Sequence, residues 1–150
     1  MLNWFNRSLL FLGTIFFLGS MALAVANMIL RPLGHSIPGA YELLGYGSAA
    51  FVALGLGYSG SEKVHISVDI LFRFLPRGIG KWLEAFGFLI SGAFFLFAVY
   101  GVGKLGIRYF RVNEVSETLQ IPFYPVVFLV TLGFFLFGLN LLRSAIKAIK

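Results

Sequence analysis

The longest uncharged stretch of the chain limits what it can fold into. Residues 9–30 contain no Asp, Glu, Lys or Arg. Twenty-two residues in a helix extend about 33 Å, enough to cross the hydrocarbon layer of a bilayer. Hydrophobic residues make up 59% of the 150 residues and charged residues only 12%, which leaves too few polar side chains to cover a soluble domain. The sequence therefore predicts an integral membrane protein.

Three further stretches have the same apolar character, at about residues 41–60, 82–103 and 121–142. The first two of these stretches, which are the predicted second and third spans, carry one acid each near an end, Glu42 and Glu84. Pro122 would fall in the first turn of the fourth, where a missing amide hydrogen is tolerated. We therefore predict one all-α domain over residues 1–150 with four transmembrane helices.

The start of the chain also resembles a cleavable secretory signal. Arg7 precedes an apolar run and the small residues 22–26, an order typical of such signals. The apolar run continues to Leu30, however, which is longer than a signal core. We therefore expect a retained helix.

Basic residues are distributed unevenly between the segments that connect the predicted spans. The N-terminal end, residues 61–81 and the C-terminal end carry eight of the 12 Lys and Arg residues, and the other two connections carry four. Because cytoplasmic loops are enriched in Lys and Arg, we expect both termini in the cytoplasm. No basic segment accompanies a soluble fold, so nucleic acid is not an expected partner.

The predicted inner loop between the second and third spans has helical periodicity. His65, Asp69 and Arg73 recur every four residues, with apolar residues between them, until Pro76 ends the pattern. This predicts a short amphipathic helix at the cytoplasmic surface of the membrane. Its polar face could simply be solvated, and His65 and Asp69 supply too few ligands for a metal site.

The middle of each predicted span lacks ionisable side chains. Ion and proton pathways usually place such groups at mid-depth, where each costs about 2.5–3.5 kcal/mol to insert. A proton-coupled exporter would need a carboxylate in its first span, and a haem-carrying bundle would need paired histidines, whereas His35 and His65 lie in loops. The chain also has no cysteine. We therefore expect no catalytic, cofactor-binding or metal site, and no enzyme.

Small residues in the second span are a candidate packing surface. They recur at strict four-residue spacing, so they share one helix face and would let another helix approach closely. They are Gly45, Ala49, Ala53 and Gly57. Small residues are also common in membrane helices in general, so the pattern does not by itself identify a partner.

A basic edge is a second candidate contact surface. Lys104, Arg108 and Arg111 lie at i, i+4 and i+7, so they share one side if the third span continues as a helix above the membrane. Such an edge could dock an acidic protein surface or simply face water.

The order of these features resembles the DctQ-type small membrane subunits of tripartite ATP-independent periplasmic (TRAP) transporters. The resemblance covers nearly the whole chain. Its parts, in chain order, are Asn27 and Arg31 at the end of the first span, Glu42 at the start of the second, the stretch His65-Ile66-Ser67-Val68-Asp69, and residues 118–125 leading into the last span.

The resemblance implies a small scaffold subunit of a sodium-driven importer of organic acids in the bacterial or archaeal inner membrane. Besides membrane lipids, its implied partners are a large membrane subunit of about twelve spans, which binds sodium and moves the solute, and a periplasmic solute-binding protein. The small subunit would bind no substrate or cofactor. Arg31 and Glu42 would be an interfacial pair or partner contacts near the outer surface, and His65 and Asp69 would anchor the inner loop.

Two other classes of function fit the same sequence. One is a self-sufficient channel or exporter that assembles as a homo-oligomer, and the other is an assembly factor for a different membrane complex. Transport by this chain alone would favour the first.

Overall fold

The computed structural model describes the backbone of residues 2–59 and 77–149, and the side chains of residues 8–58 and 80–148. Within these ranges the α-helices are α1 (Leu2–Leu30), α2 (Ala40–Ser59), α3 (Arg77–Val112) and α4 (Tyr124–Ile149), with a 3-10 turn at Arg31–Leu33. The predicted all-α class is confirmed for this part of the chain. The predicted amphipathic helix, with His65 and Asp69, lies outside the described residues.

Among the described residues, three helices are long and apolar enough to cross a membrane, not four as the sequence predicted. They are Ser8–Leu33, Gly80–Val112 and Tyr124–Ala148. The region predicted as a second span, residues 41–60, is helical as α2 but is not apolar enough to count among these candidate spans. Its 20 residues include four glycines, three tyrosines and Glu42, which lower its hydropathy.

The ends of the last two helices also differ from the prediction. α3 continues to Val112, nine residues beyond the predicted span. α4 begins at Tyr124 instead of residue 121, because Pro122 forms an antiparallel bridge with Val115. Pro125, not Pro122, therefore occupies the first turn of α4, where a proline is tolerated.

The four helices pack in the order α1, α2, α4, α3. Contacts along their lengths show that α1 and α2 form one antiparallel hairpin and α3 and α4 another, while α2 and α4 run parallel and join the hairpins. In the described part of the chain, α1 and α3 are therefore the outer helices of a row. Large apolar side chains stay exposed along it, such as Phe11 (67%) and Phe97 (75%), as expected for a surface that meets lipid or a partner.

Small residues build the contacts between helices because the backbones approach closely. Ala53 of α2 is 2% exposed, and a Cβ added to Gly133 of α4 would lie 2.5 Å from its carbonyl oxygen and 2.9 Å from its Cα. Between α3 and α4, a Cβ on Gly92 would lie 3.4 Å from the Gly138 carbonyl oxygen. Close approach of this kind replaces hydrophobic burial as the source of packing energy within a membrane.

We expect Gly133→Ala to destabilise the chain, because the added methyl group would overlap the backbone of Ala53, which cannot rotate away. Overpacking of this kind costs about 1–3 kcal/mol, offset in part by the helix propensity of alanine, worth about 1 kcal/mol. Thermal unfolding of the purified chain in detergent measures the net effect.

The matched control is Gly101→Ala on α3, where an added Cβ would meet nothing within 4 Å. That change should leave the unfolding temperature unchanged or raise it. A Gly133→Ala variant as stable as this control would contradict the close contact between α2 and α4.

Candidate interaction site at the loop end of the row

Two connections, residues 31–39 and 113–123, meet at one end of the row, which we call the loop end. The first closes α1 with two backbone hydrogen bonds, from the His35 N–H to the Leu30 carbonyl and from the Gly34 N–H to the Arg31 carbonyl, each 3.1 Å. Gly34 has a φ of 77°, which glycine adopts without steric cost. The Asn27 side chain, 6% exposed, accepts a hydrogen bond of 3.0 Å from the Ile37 N–H.

The second connection is a narrow hairpin between α3 and α4. Asn113, with a φ of 49°, ends α3, since asparagine tolerates this left-handed conformation. The Ser116 N–H donates to the Ile121 carbonyl at 2.9 Å, and the Ile121 N–H donates to the Ser116 hydroxyl at 3.2 Å. Because Ser116 is 2% exposed, these bonds satisfy polar groups that water does not reach.

Glu42 joins the two connections. Its Oε1 accepts a hydrogen bond of 2.7 Å from the Thr118 N–H, and its Oε2 accepts one of 3.0 Å from the Leu119 N–H. Consecutive backbone N–H groups in a turn form a concave site for an anion. Glu42 also lies in the first turn of α2, where the helix dipole favours negative charge. We call this arrangement the Glu42 clasp.

The clasp keeps Glu42 ionised. Partial burial raises the pKa of its carboxyl, but the hydrogen bonds from the Thr118 and Leu119 amides, followed by those from the Ser116 and Thr118 hydroxyls, lower the pKa further, to about 2. Glu42 therefore carries a full negative charge at neutral pH, and that charge is bound to the hairpin.

Two further contacts hold the hairpin against α2. The Tyr46 hydroxyl donates to the Ile121 carbonyl at 2.9 Å. Gly39, immediately before α2, has a φ of 69°, and a Cβ added there would overlap the side chain of Leu119. Only glycine fits both the backbone conformation and the space.

Arg31 and Glu42, which the sequence suggested as a pair, have different partners. The Arg31 Nη1 donates to the Tyr41 hydroxyl at 3.2 Å on the exposed surface of the loop end. Glu42 is held on the hairpin backbone instead. The loop end therefore presents a guanidinium group whose nearest acid along the chain is already bound elsewhere.

The small residues of α2 fall into two groups. Ala53 and Gly57 are buried within the chain, whereas Gly45, with no atom near its added Cβ, and Ala49 line an open apolar groove of about 390 Å³. The close approach of α1 to α2 occurs at Gly47, where an added Cβ would lie 3.6 Å from the carbonyl oxygen of Phe16. Sequence reasoning missed this position because it is outside the four-residue pattern.

The basic edge lies on α3, which continues as a helix past all three of its residues. Lys104, Arg108 and Arg111 are exposed. The Lys104 Nζ lies 4.3 Å from the centroid of the Tyr100 ring, a cation–π contact that orients one of the three charges. Across residues 2–59 and 77–149, no group of three or more His, Asp or Glu side chains could hold a metal ion.

A family model for the DctQ component of tripartite ATP-independent periplasmic transporters matches residues 9–150. The chain belongs to the DctQ family. DctQ proteins are the small component of TRAP transporters, which also have a large membrane subunit and a periplasmic binding protein. This is a family of transporter components, not of enzymes. No curated protein and no solved structure matches the chain significantly.

Family membership and the three apolar helices together make this DctQ protein a multi-pass protein of the bacterial inner membrane. Two segments that carried the resemblance, Glu42 and residues 118–125, are in direct contact through the Glu42 clasp.

We expect Glu42→Gln to destabilise the loop end, because an amide side chain accepts at one atom and opposes a backbone N–H with its own N–H at the other. The pKa of Glu42 in the folded chain, about 2, is below its ordinary 4.5. The ionised carboxylate therefore stabilises the fold fully above about pH 4.5, and this stabilisation is lost as the pH falls toward about 2. The difference in unfolding temperature between wild type and variant should therefore be largest above about pH 4.5 and should shrink as the pH falls toward about 2.

Glu117→Gln is the matched control, since Glu117 is an exposed acid in the same hairpin. It should leave both the unfolding temperature and the hydrogen exchange of the Thr118 and Leu119 amides unchanged, while Glu42→Gln should accelerate that exchange several-fold. Equal effects of the two substitutions, or a stability difference that persists unchanged to about pH 2, would contradict the clasp.

Proposed function

We propose that this DctQ protein is the fixed scaffold of a sodium-driven importer of organic acids. In this proposal the large membrane subunit binds sodium and moves the solute, and the periplasmic binding protein delivers it. The observation that most supports the proposal is the family match over residues 9–150. The sequence also supports it, because the apolar segments contain no Asp, Glu, Lys, Arg or His. These segments are residues 8–30, 43–58, 85–103 and 124–142.

The absence of charge within these segments favours a scaffold over a pathway. A solute anion or a sodium ion crossing the membrane needs polar or charged ligands at mid-depth, and those ligands are costly to insert and retained for function. The large subunit would supply them. The row of helices would contribute a broad apolar face for that subunit, with the opposite face in lipid.

We propose that the loop end faces the periplasm and that both termini are cytoplasmic. Helices α2 and α4 run parallel, so the C-terminal end of α4 and the N-terminal end of α1 lie at the same end of the row, away from the loop end. The eight basic residues in the terminal segments and in residues 61–81, against four in the other connections, favour the cytoplasm for that end.

Reconstituted uptake tests the scaffold role. Proteoliposomes that contain both membrane subunits, supplied with binding protein and an inward sodium gradient, should accumulate the organic acid. Vesicles with the large subunit alone or with this chain alone should not. Accumulation by this chain alone would show instead a self-sufficient channel or exporter, and full transport by the large subunit alone would contradict the scaffold role.

The basic edge would dock an acidic surface of the periplasmic binding protein. We expect the double substitution Arg108→Glu and Arg111→Glu to raise several-fold the concentration of loaded binding protein that gives half-maximal uptake. The maximal rate should not change, because opposed charges act mainly on association. The effect should diminish as salt screens the charges.

The matched control reverses Arg143 and Lys147, two basic residues near the opposite end of the row. This control should leave the dependence on binding protein unchanged. A basic-edge variant with wild-type dependence at low salt would show that the edge only faces water.

A further inference from the structure

A groove of about 450 Å³ lies between α1 and α2 at the loop end. Its lining changes in character along its length. Arg31, Pro32 and Tyr41 line its part at the end of α1, and the rest is lined by Ala24, Met28 and Leu44 together with Asn27, whose side chain is only 6% exposed. The groove is distinct from the clasp and from the basic edge.

The change in polarity coincides with the end of a membrane-spanning helix. Arg31 is within the last turn of the candidate span Ser8–Leu33. Ala24 is seven residues earlier, which places it about 10 Å deeper along the helix. The groove therefore starts at the level of lipid headgroups and continues alongside the upper part of the acyl chains.

The part of the groove at the end of α1 carries a positive charge. The guanidinium of Arg31 has five N–H donors, and one bond to the Tyr41 hydroxyl uses only one of them. The carboxylate of Glu42, next to Tyr41, is hydrogen-bonded to the Thr118 and Leu119 amides and not to Arg31, so it does not occupy the donors of the guanidinium. A phosphate group complements a guanidinium both in charge and in hydrogen-bond geometry.

The rest of the groove is an uncovered apolar surface. Met28, one of its apolar residues, is 77% exposed. A soluble anion would satisfy the guanidinium but leave this surface uncovered. A lipid acyl chain beneath the phosphate would cover it.

We infer that this groove is a binding site for one anionic phospholipid. The phosphate binds the Arg31 guanidinium and the Tyr41 hydroxyl, and the upper part of an acyl chain lies along Ala24, Met28 and Leu44. All the residues of the site belong to this chain, so the inference does not rest on the proposed transport role.

Native mass spectrometry of the full chain, purified in detergent and titrated with phosphatidylglycerol or phosphatidylcholine, tests this site. Wild type should bind one phosphatidylglycerol several-fold more tightly than phosphatidylcholine. Arg31→Ala should weaken phosphatidylglycerol binding roughly tenfold, the effect of losing charge-assisted hydrogen bonds. Ala24→Trp, at an exposed position, should weaken it comparably by filling the groove while the charge remains.

The matched control is Arg108→Ala, which removes the same charge from an exposed site outside the groove and should leave the preference for phosphatidylglycerol intact. Equal losses in the two arginine variants would show nonspecific charge attraction. Displacement of the lipid by inorganic phosphate would show a soluble-anion site, and unchanged binding by Ala24→Trp would show that no acyl chain uses the groove. Each of these results overturns the inference.

A helical circular dichroism spectrum and a single elution peak verify that each variant is folded. Arg31→Gln replaces Arg31→Ala if the latter does not fold.

Discussion

The contact between α2 and α4 is the interaction on which the rest of the structure depends. Short connections build the hairpin at the loop end and the turn between α1 and α2, and in the described part of the chain the packing of α2 against α4 joins the two helix pairs. Along the helices the contact relies on the backbone approach of Gly133 to Ala53. At the loop end it relies on the carboxylate of Glu42 bound to the hairpin amides. One contact is steric and the other is electrostatic, and both join the same two elements.

This arrangement explains why α2 can be less apolar than the other helices. It lies between α1 and α4, so neighbouring helices cover two of its sides. Gly47 allows the close approach of α1, and Glu42 and Tyr46 bind the hairpin at the loop end. Some of the residues that lower the hydropathy of α2 therefore also hold it against its neighbours.

A row of helices differs from a closed bundle in what it offers to its surroundings. In a closed bundle each helix turns one face inward, whereas in the described part of this chain α1 and α3 are at opposite edges and both broad faces stay open. Such a shape maximises apolar contact area for a chain of 150 residues. An open apolar face of this kind suits a protein that packs against a partner. A protein that encloses its own pathway would need a closed bundle instead.

The sequence predicted where the described helices lie, because long uncharged runs have few alternatives in a membrane protein, but only three of them are apolar enough to cross a membrane. It predicted the ends of the helices less well. The third span was predicted to end before Lys104 because that residue is charged. The helix continues past it, because charged residues fit well in a helix outside the hydrocarbon layer. The late start of α4 depends on the bridge between Val115 and Pro122, and no local sequence pattern predicts that bridge.

The clasp shows a different limit of sequence reasoning. Glu42 and the segment 118–125 were both recognisable, but the partners of the carboxylate are backbone amides, which every residue except proline carries. No residue type marks them. The contact at Gly133 is similarly hidden, because one glycine among 18 does not reveal which helix approaches it.

The row itself is the central claim, and a distance between the two outer helices tests it most directly. The chain has no cysteine, so spin labels can be attached at Leu12→Cys on α1 and Phe97→Cys on α3, both exposed positions at similar depth. Three steps of about 8–10 Å between neighbouring helix axes predict a separation of roughly 24–30 Å by double electron–electron resonance. Strong dipolar broadening of the continuous-wave spectrum, which labels about 10–15 Å apart would give in a closed bundle with α1 beside α3, would contradict the row.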